Sequence, residues 1–200
     1  MAKIGLSKPY VAKYTNNGEQ VTYSGGALMG KAVELSIELE GVDDNTLYAD
    51  NGPAESANTF AGGTAKITND ELLPEVLLDI LGITAEAVTA EGIETKDAKL
   101  YAWNDEQETP YLGFGAIAMI QNNNAVKWQA IILPKIKFTN PNDTWKTKGK
   151  TIEWGTPEIS ATILRSDTEK HPWKCISSPV DSEADAEAII KSYLSITAAA

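Results

Sequence analysis

Few of the 200 residues have the type and spacing to do chemistry, and each candidate fails on its surroundings. Gly25-Gly26-Ala27-Leu28-Met29-Gly30-Lys31-Ala32 fits the G-x-x-x-x-G-K phrase of a phosphate-cradling loop, but Ala32 stands where magnesium needs a Ser or Thr. Such a loop opens a helix whose amino end holds phosphate, whereas Lys31 leads into an alternating, strand-like stretch; the phrase reads as a glycine turn. Asp43-Asp44-Asn45 begins like a calcium loop, but Leu47 takes the third ligand position and Ala54 the twelfth. The single His171 excludes a two-histidine metal site, and the single Cys175 excludes an internal disulfide. Four residues apart on a strand, those two would share a face about 13 Å from one another, too far for proton transfer. No Gly-x-Ser-x-Gly elbow supplies another nucleophile. The expectation is a protein that is not an enzyme and carries no cofactor.

Five tryptophans, at positions 103, 128, 145, 154 and 173, offer aromatic platforms for a sugar. Trp128 and Trp154 alternate with apolar neighbours and read as core, which leaves Trp103, Trp145 and Trp173 for a carbohydrate-binding module of the sandwich type.

Charge is distributed unevenly along a chain whose net charge is −11. Residues 34–108 carry three basic and eighteen acidic groups, net −15, while residues 127–150 carry six basic and one acidic, net +5. Binding to DNA phosphates rests on Lys and Arg displacing counterions, so the acidic half repels nucleic acid. Opposed patches on one chain also suit self-association. The longest apolar run, Leu112 to Ile120, is nine residues, against the 20 or so that a membrane helix requires. The first ten residues lack the apolar core of a signal peptide, so the expected compartment is a reducing cytoplasm.

The elements that would carry these residues are mostly strands. Val33, Leu35, Ile37 and Leu39 alternate with Glu34, Ser36, Glu38 and Glu40, a strand with one apolar and one acidic face. Asn16-Asn17-Gly18 predicts a hairpin turn between Tyr10–Tyr14 and Val21–Tyr23. A second hairpin joins Leu112–Ile120 to Val126–Ile132, with Asn122-Asn123-Asn124 as its loop and Ile120 opposite Val126. Further strands are expected at Thr64–Ile67, Lys99–Trp103, Ile152–Trp154 and Ile159–Leu164. Leu73, Val76, Leu77, Ile80 and Leu81 follow helical spacing up to a stop at Gly82, with a capping box at Thr68–Glu71. A second helix, Ser182 to Leu194, presents Ala186, Ile189, Ile190, Tyr193 and Leu194. Two long connections remain, an acidic one at 41–58 and a basic one at 139–149. The expected fold is mainly β (α+β): a single domain forming a β-sandwich or half-barrel of antiparallel strands with a flanking helix and a C-terminal helix.

This order of features resembles the major tail protein, or tail tube protein, of long-tailed non-contractile phages. The resemblance is carried by Val33–Glu40 with its acidic loop, the helix ending at Gly82, the hairpin Tyr111–Phe138, the run Thr147–Trp154 and the strand Ile159–Leu164. It implies a virion protein, made in the host cytoplasm, that self-assembles into hexameric rings. Strands of neighbouring copies would line a lumen for DNA, and the rings would stack into a tube. The partners it implies are further copies, the tape-measure protein, the tail terminator and the baseplate or distal tail proteins, with no membrane. Some relatives carry an extra immunoglobulin-like domain, which this chain is expected to lack. Glu34, Glu38 and Glu40 are then candidates for the lumen wall. Asp43, Asp44 and Asp50 on one loop, and Lys135, Lys137, Lys146 and Lys148 on the basic segment, are candidates for contacts between subunits or rings. The inner tube of a contractile injection machine fits the same features.

Overall fold

The computed structural model describes residues 2–40, 45–49, 52–57, 60–89, 92–95, 97–122, 125–145, 147 and 155–197. In chain order these form β1 (Ala2–Asn16), β2 (Val21–Leu28), β3 (Ala32–Leu39), β4 (Asn45–Ala49), β5 (Gly52–Ala57), β6 (Gly63–Asn69), α1 (Pro74–Leu81), β7 (Thr84–Ala87), β8 (Lys99–Ala102), β9 (Leu112–Asn122), β10 (Ala125–Phe138), β11 (Glu158–Leu164), β12 (Cys175–Ile176) and α2 (Glu183–Tyr193). The protein is mainly β, a large antiparallel half-barrel with two helices. Its main sheet runs β2-β1-β9-β10-β11-β6-β3, and β12 joins β10 where β11 has ended. Two separate hairpins, β4–β5 and β7–β8, stand apart from it. The acidic connection at 41–58 therefore contains a hairpin where the sequence suggested only loop. The expected strand Ile152–Trp154 lies outside the described residues.

The β9–β10 hairpin forms as expected, but its register is one residue away from the predicted one. Val126 pairs with Gln121 and Trp128 with Met119, and Asn122 pairs with Ala125, so the chain reverses in two residues rather than three. Side-chain alternation could not fix this register, because both faces of the hairpin are buried. Phe114, Ala116 and Leu133 face one core; Ile117, Ala130 and Ile132 face another.

The first core fills the concave side of the sheet. Ile67, Ile136, Phe138, Ile159 and Ile163 close around Val76, Leu77, Ile80 and Leu81 of α1. Pro74 sits in the first turn, where its missing N–H costs nothing, and Gly82 ends the helix at φ 68°, donating its N–H to Leu78 O at 3.1 Å. The expected capping box does not form. Thr68 and Asn69 are strand residues, Leu73 is the N-cap, and Asp70 instead accepts from the N–H groups of Lys31 (2.8 Å) and Glu71 (3.0 Å). That carboxylate ties the start of β3 to the end of β6.

The second core lies on the convex side beneath α2, which Ser182 caps by accepting from the Asp185 N–H at 3.1 Å. Ala186, Ile190 and Leu194 are buried there, and each of the two larger side chains contributes roughly 1.5–3 kcal/mol. The glycines of β9 make the seat. A Cβ on Gly115 would lie 2.5 Å from Ile190 Cγ2, and one on Gly113 would lie 2.6 Å from Leu194 Cδ2. Charge fastens the exposed flank of the same helix. Glu187 takes Lys8, Lys191 (2.6 Å) and the Tyr10 hydroxyl (2.7 Å), and Ser7 donates to Glu183 at 2.6 Å. Lys8 reaches the helix from an irregularity in β1 between Ser7 and Tyr10, where its own φ is +50°.

Two outcomes are expected. Gly115→Val forces Ile190 off the sheet and lowers stability in urea unfolding by about 2–3 kcal/mol, whereas Gly18→Ala, whose site is open, costs only the strain of its positive φ. Hydrogen bonds from Lys191, Lys8 and Tyr10 bring the Glu187 carboxyl from an ordinary 4.5 down to about 2. Its stabilisation is therefore complete above about pH 4.5 and is lost as pH falls toward 2. Glu187→Gln should cost roughly 1–2 kcal/mol at pH 7, and the gap between variant and parent should close across that acid range.

Candidate assembly surface

Three strands of the sheet, β11, β6 and β3, continue past the region covered by α2, and among the described residues no helix packs on their outward face. The alternation Gly63 to Asn69 puts Ala65 and Ile67 into the core and Thr64, Lys66 and Thr68 outward. Strand β11 does the same with Ile159, Ala161 and Ile163 inside and Glu158, Ser160 and Thr162 outside. The register aligns these into rows: Glu34, Thr68 and Glu158; Ser36, Lys66 and Ser160; Glu38, Thr64 and Thr162. Lys137 of β10 stands beside Thr162 and extends the third row.

Glu34, Glu38 and Glu40 are all exposed, as a face turned away from the core requires. The surface is less acidic than one strand suggests, because Lys66 donates to Glu38 at 3.0 Å, and that bond holds its ammonium above the usual lysine range. Lys66, the threonines and Glu158 were legible in the alternation of their own segments, but only strand order puts them beside β3. Leu35 and Ile37 pack on the core as expected. Val33 and Leu39, expected to join them, are 53% and 52% exposed. Val33 falls where the register shifts between Ala32 and Glu34, and Leu39 is opposite Gly63, which has no side chain to pack on.

Neither border strand of this sheet has a second ladder partner among the described residues, although β3 comes alongside β1 without pairing with it. Among the described residues β3 pairs only with β6, and β2 pairs only with β1. The unpaired border of β2 carries the glycines Gly25 and Gly26 and an exposed Leu28. Gly30 at φ +119° then turns the chain into β3 and no helix follows, so the phosphate-loop phrase is strand and turn.

The other candidates lie elsewhere. Lys135 is turned inward: its ammonium pairs with Asp167 at 2.7 Å and lies 5.1 Å and 4.7 Å from the ring centres of Tyr14 and Tyr111. The Lys135 hydrogen bond, with a second from Tyr14, holds the Asp167 carboxyl below the ordinary carboxylate range. Lys137 lies 5.4 Å from the Tyr111 ring. Asp43, Asp44, Asp50, Lys146 and Lys148 lie outside the described residues. His171 faces the Ser166 carbonyl at 2.9 Å, while Cys175 packs in the second core, so the two serve different neighbours. Trp128 is half-buried in that core, Trp173 stacks on Phe60 with ring centres 4.6 Å apart, and Trp103 and Trp145 are exposed. Among the described residues no three His, Cys, Asp or Glu side chains come together to hold a metal ion. A cavity of about 210 Å³ opens between β1, β2 and the end of α1, with Lys13, Ser24, Asp79 and Glu108 on its walls.

No protein-family model and no curated protein matches this chain.

Replacing Lys135 separates its internal contacts from a role between copies. Lys135→Met should lower the stability of the isolated chain by about 1–2 kcal/mol in thermal unfolding, through Asp167 and the two tyrosines. Lys137→Met, with one ring contact, should change it by about 0.5 kcal/mol or less.

Proposed function

We propose that the chain is a structural subunit that self-assembles into rings, and that stacked rings form a tail tube whose bore conducts DNA. The observation that carries this reading is that, among the described residues, β2 and β3 border the sheet without a second ladder partner, beside an outward polar face. An unpaired strand with exposed Val33 and Leu39 is an aggregation hazard on a lone molecule, and closure against further copies removes it. In the ring, β11, β6 and β3 of each copy contribute a wall of Thr, Ser, Lys and Glu. Such a wall offers few cations to phosphate, and Glu34, Glu38 and Glu40 tip its balance to negative, so DNA slides without being held. Contacts between rings would involve the acidic connection 41–58 and the basic segment 135–150, giving assembly that weakens with salt. The implied partners are other copies, tape-measure and terminator proteins and distal tail proteins, in a virion tail.

Negative-stain microscopy of the purified chain over a range of concentration and salt tests the reading. Hollow filaments at low salt are expected. A monomer under every condition, above all one with saturable affinity for a sugar, would overturn the proposal in favour of a binding module. Val33→Lys with Leu39→Lys should leave the monomer folded, since both positions are exposed, and prevent filaments. The triple replacement of Glu34, Glu38 and Glu40 by Gln should leave tubes intact and slow DNA exit; unchanged ejection kinetics would remove these carboxylates from the lumen.

A further inference from the structure

The tip of the β1–β2 hairpin brings a nucleophile and an electrophile together in one turn. Asn16, Asn17, Gly18, Glu19 and Gln20 are all exposed to water, and among the described residues Asn17 is the one asparagine followed by glycine. The Gly18 N–H donates to Asn16 Oδ1 at 2.8 Å. Asn17 Oδ1 accepts from the main-chain N–H groups of Gln20 at 2.8 Å and of Glu19 at 3.1 Å. Asparagine side chains often bond the main chain two residues ahead, and here two successive residues do so around one peptide.

Each contact has a chemical consequence. A nitrogen whose proton is held by an acceptor is the better nucleophile, and Gly18 N is the atom that can attack the Asn17 side-chain carbonyl carbon. Charge developing on Asn17 Oδ1 during that attack meets two donors already aimed at it, the arrangement of an oxyanion hole. Gly18 has no Cβ to crowd its nitrogen, and its φ of +89° is one that glycine adopts freely. The turn closes on a long main-chain contact, Asn17 N–H to Gln20 O at 3.4 Å, which leaves the tip room to adjust. Other described asparagines lack this set. Asn140 precedes Pro141, whose nitrogen carries no proton, and Asn104 precedes Asp105 and accepts from the Glu106 N–H at 3.1 Å. Asn69 is fully buried, with an Oδ1 that finds no partner.

We propose that this hairpin tip promotes its own deamidation at Asn17. Hydroxide takes the Gly18 amide proton, and Gly18 N forms a bond to Asn17 Cγ. The Cγ–Nδ2 bond then breaks, and the side-chain nitrogen takes a proton from water and leaves as ammonia, which returns the hydroxide. Water opens the resulting cyclic imide at one of its two carbonyls, giving aspartate or isoaspartate and one further negative charge. In isoaspartate the main chain runs through the former side chain and is one methylene longer. That change falls beside the rung between Asn16 and Val21, where border strand β2 begins, and loosens it. The reaction needs one folded copy and water, so it stands or falls separately from the tube.

The test follows the full chain in mildly alkaline buffer, by mass spectrometry of its peptides and by methyl labelling with an isoaspartyl methyltransferase. The Asn17 peptide should convert at least as fast in the folded chain as in urea, and faster as pH rises. Slower conversion in the folded chain than in urea would overturn the proposal. Asn16→Ala should slow the folded chain roughly tenfold, the worth of one hydrogen bond, and leave the rate in urea unchanged. Asn16→Asp, which keeps the acceptor, should restore the folded rate. A folded rate indifferent to Asn16→Ala, with the variant folded by circular dichroism, would also overturn the proposal. Gly18→Ala, which crowds the nucleophile, should slow conversion in both states; an unchanged rate would remove Gly18 N as the attacking atom.

Discussion

The fold is organised by one constraint: the long β9–β10 hairpin is apolar on both faces and has to be covered twice. A sheet with a single buried face could stop at a sandwich. Here the concave side is filled by α1 and the curled strands, and the convex side is roofed by α2. The two coverings are built differently. Helix α1 is held by burial, with Pro74 in its first turn and Gly82 at its end, whereas α2, with a polar flank, needs glycine seats beneath it and a cluster of charges at its margin.

The same constraint explains why the convex face changes character partway across. Strand β10 is long enough to outrun β11, and its remaining edge is taken over by β12 and then by the bridge between Trp128 and Val180. Under α2 the outward positions are Ala, Ile and Gly; beyond it, on β11, β6 and β3, they become Thr, Ser, Lys and Glu. The boundary between the sheet under α2 and the sheet beyond it is thus written in side-chain size and polarity.

Much of this was legible in the chain. Strand β3, both helices and the two hairpins follow from period-2 and period-3.6 spacing and from the Asn-Gly turn at Asn17-Gly18. The register of β9 and β10 was not, because a strand buried on both sides gives no contrast between its faces. Nor were the capping of α1 and the exposure of Val33 and Leu39, which depend on which strand lies next door and whether its facing residue is a glycine. The short strands β7 and β12 carry too few residues for any period to register. The outward exposure of Glu34, Glu38 and Glu40 was readable from alternation alone, while the inward engagement of Lys135 depends on Asp167, thirty-two positions away in the chain.

The two margins of the sheet, which have no second ladder partner among the described residues, are unlike one another: β2 offers glycine-rich backbone, and β3 offers a bulged strand flanked by valine and glutamate. A copy meeting its neighbour through them would use different surfaces on its left and right, so every such step would apply the same rotation. In such a ring the coil accumulated between β2 and β3 would set that angle. Whether it divides a full circle is then a property of strand geometry inside one polypeptide, and a single inserted residue in β11 or β6 would alter how many copies fit.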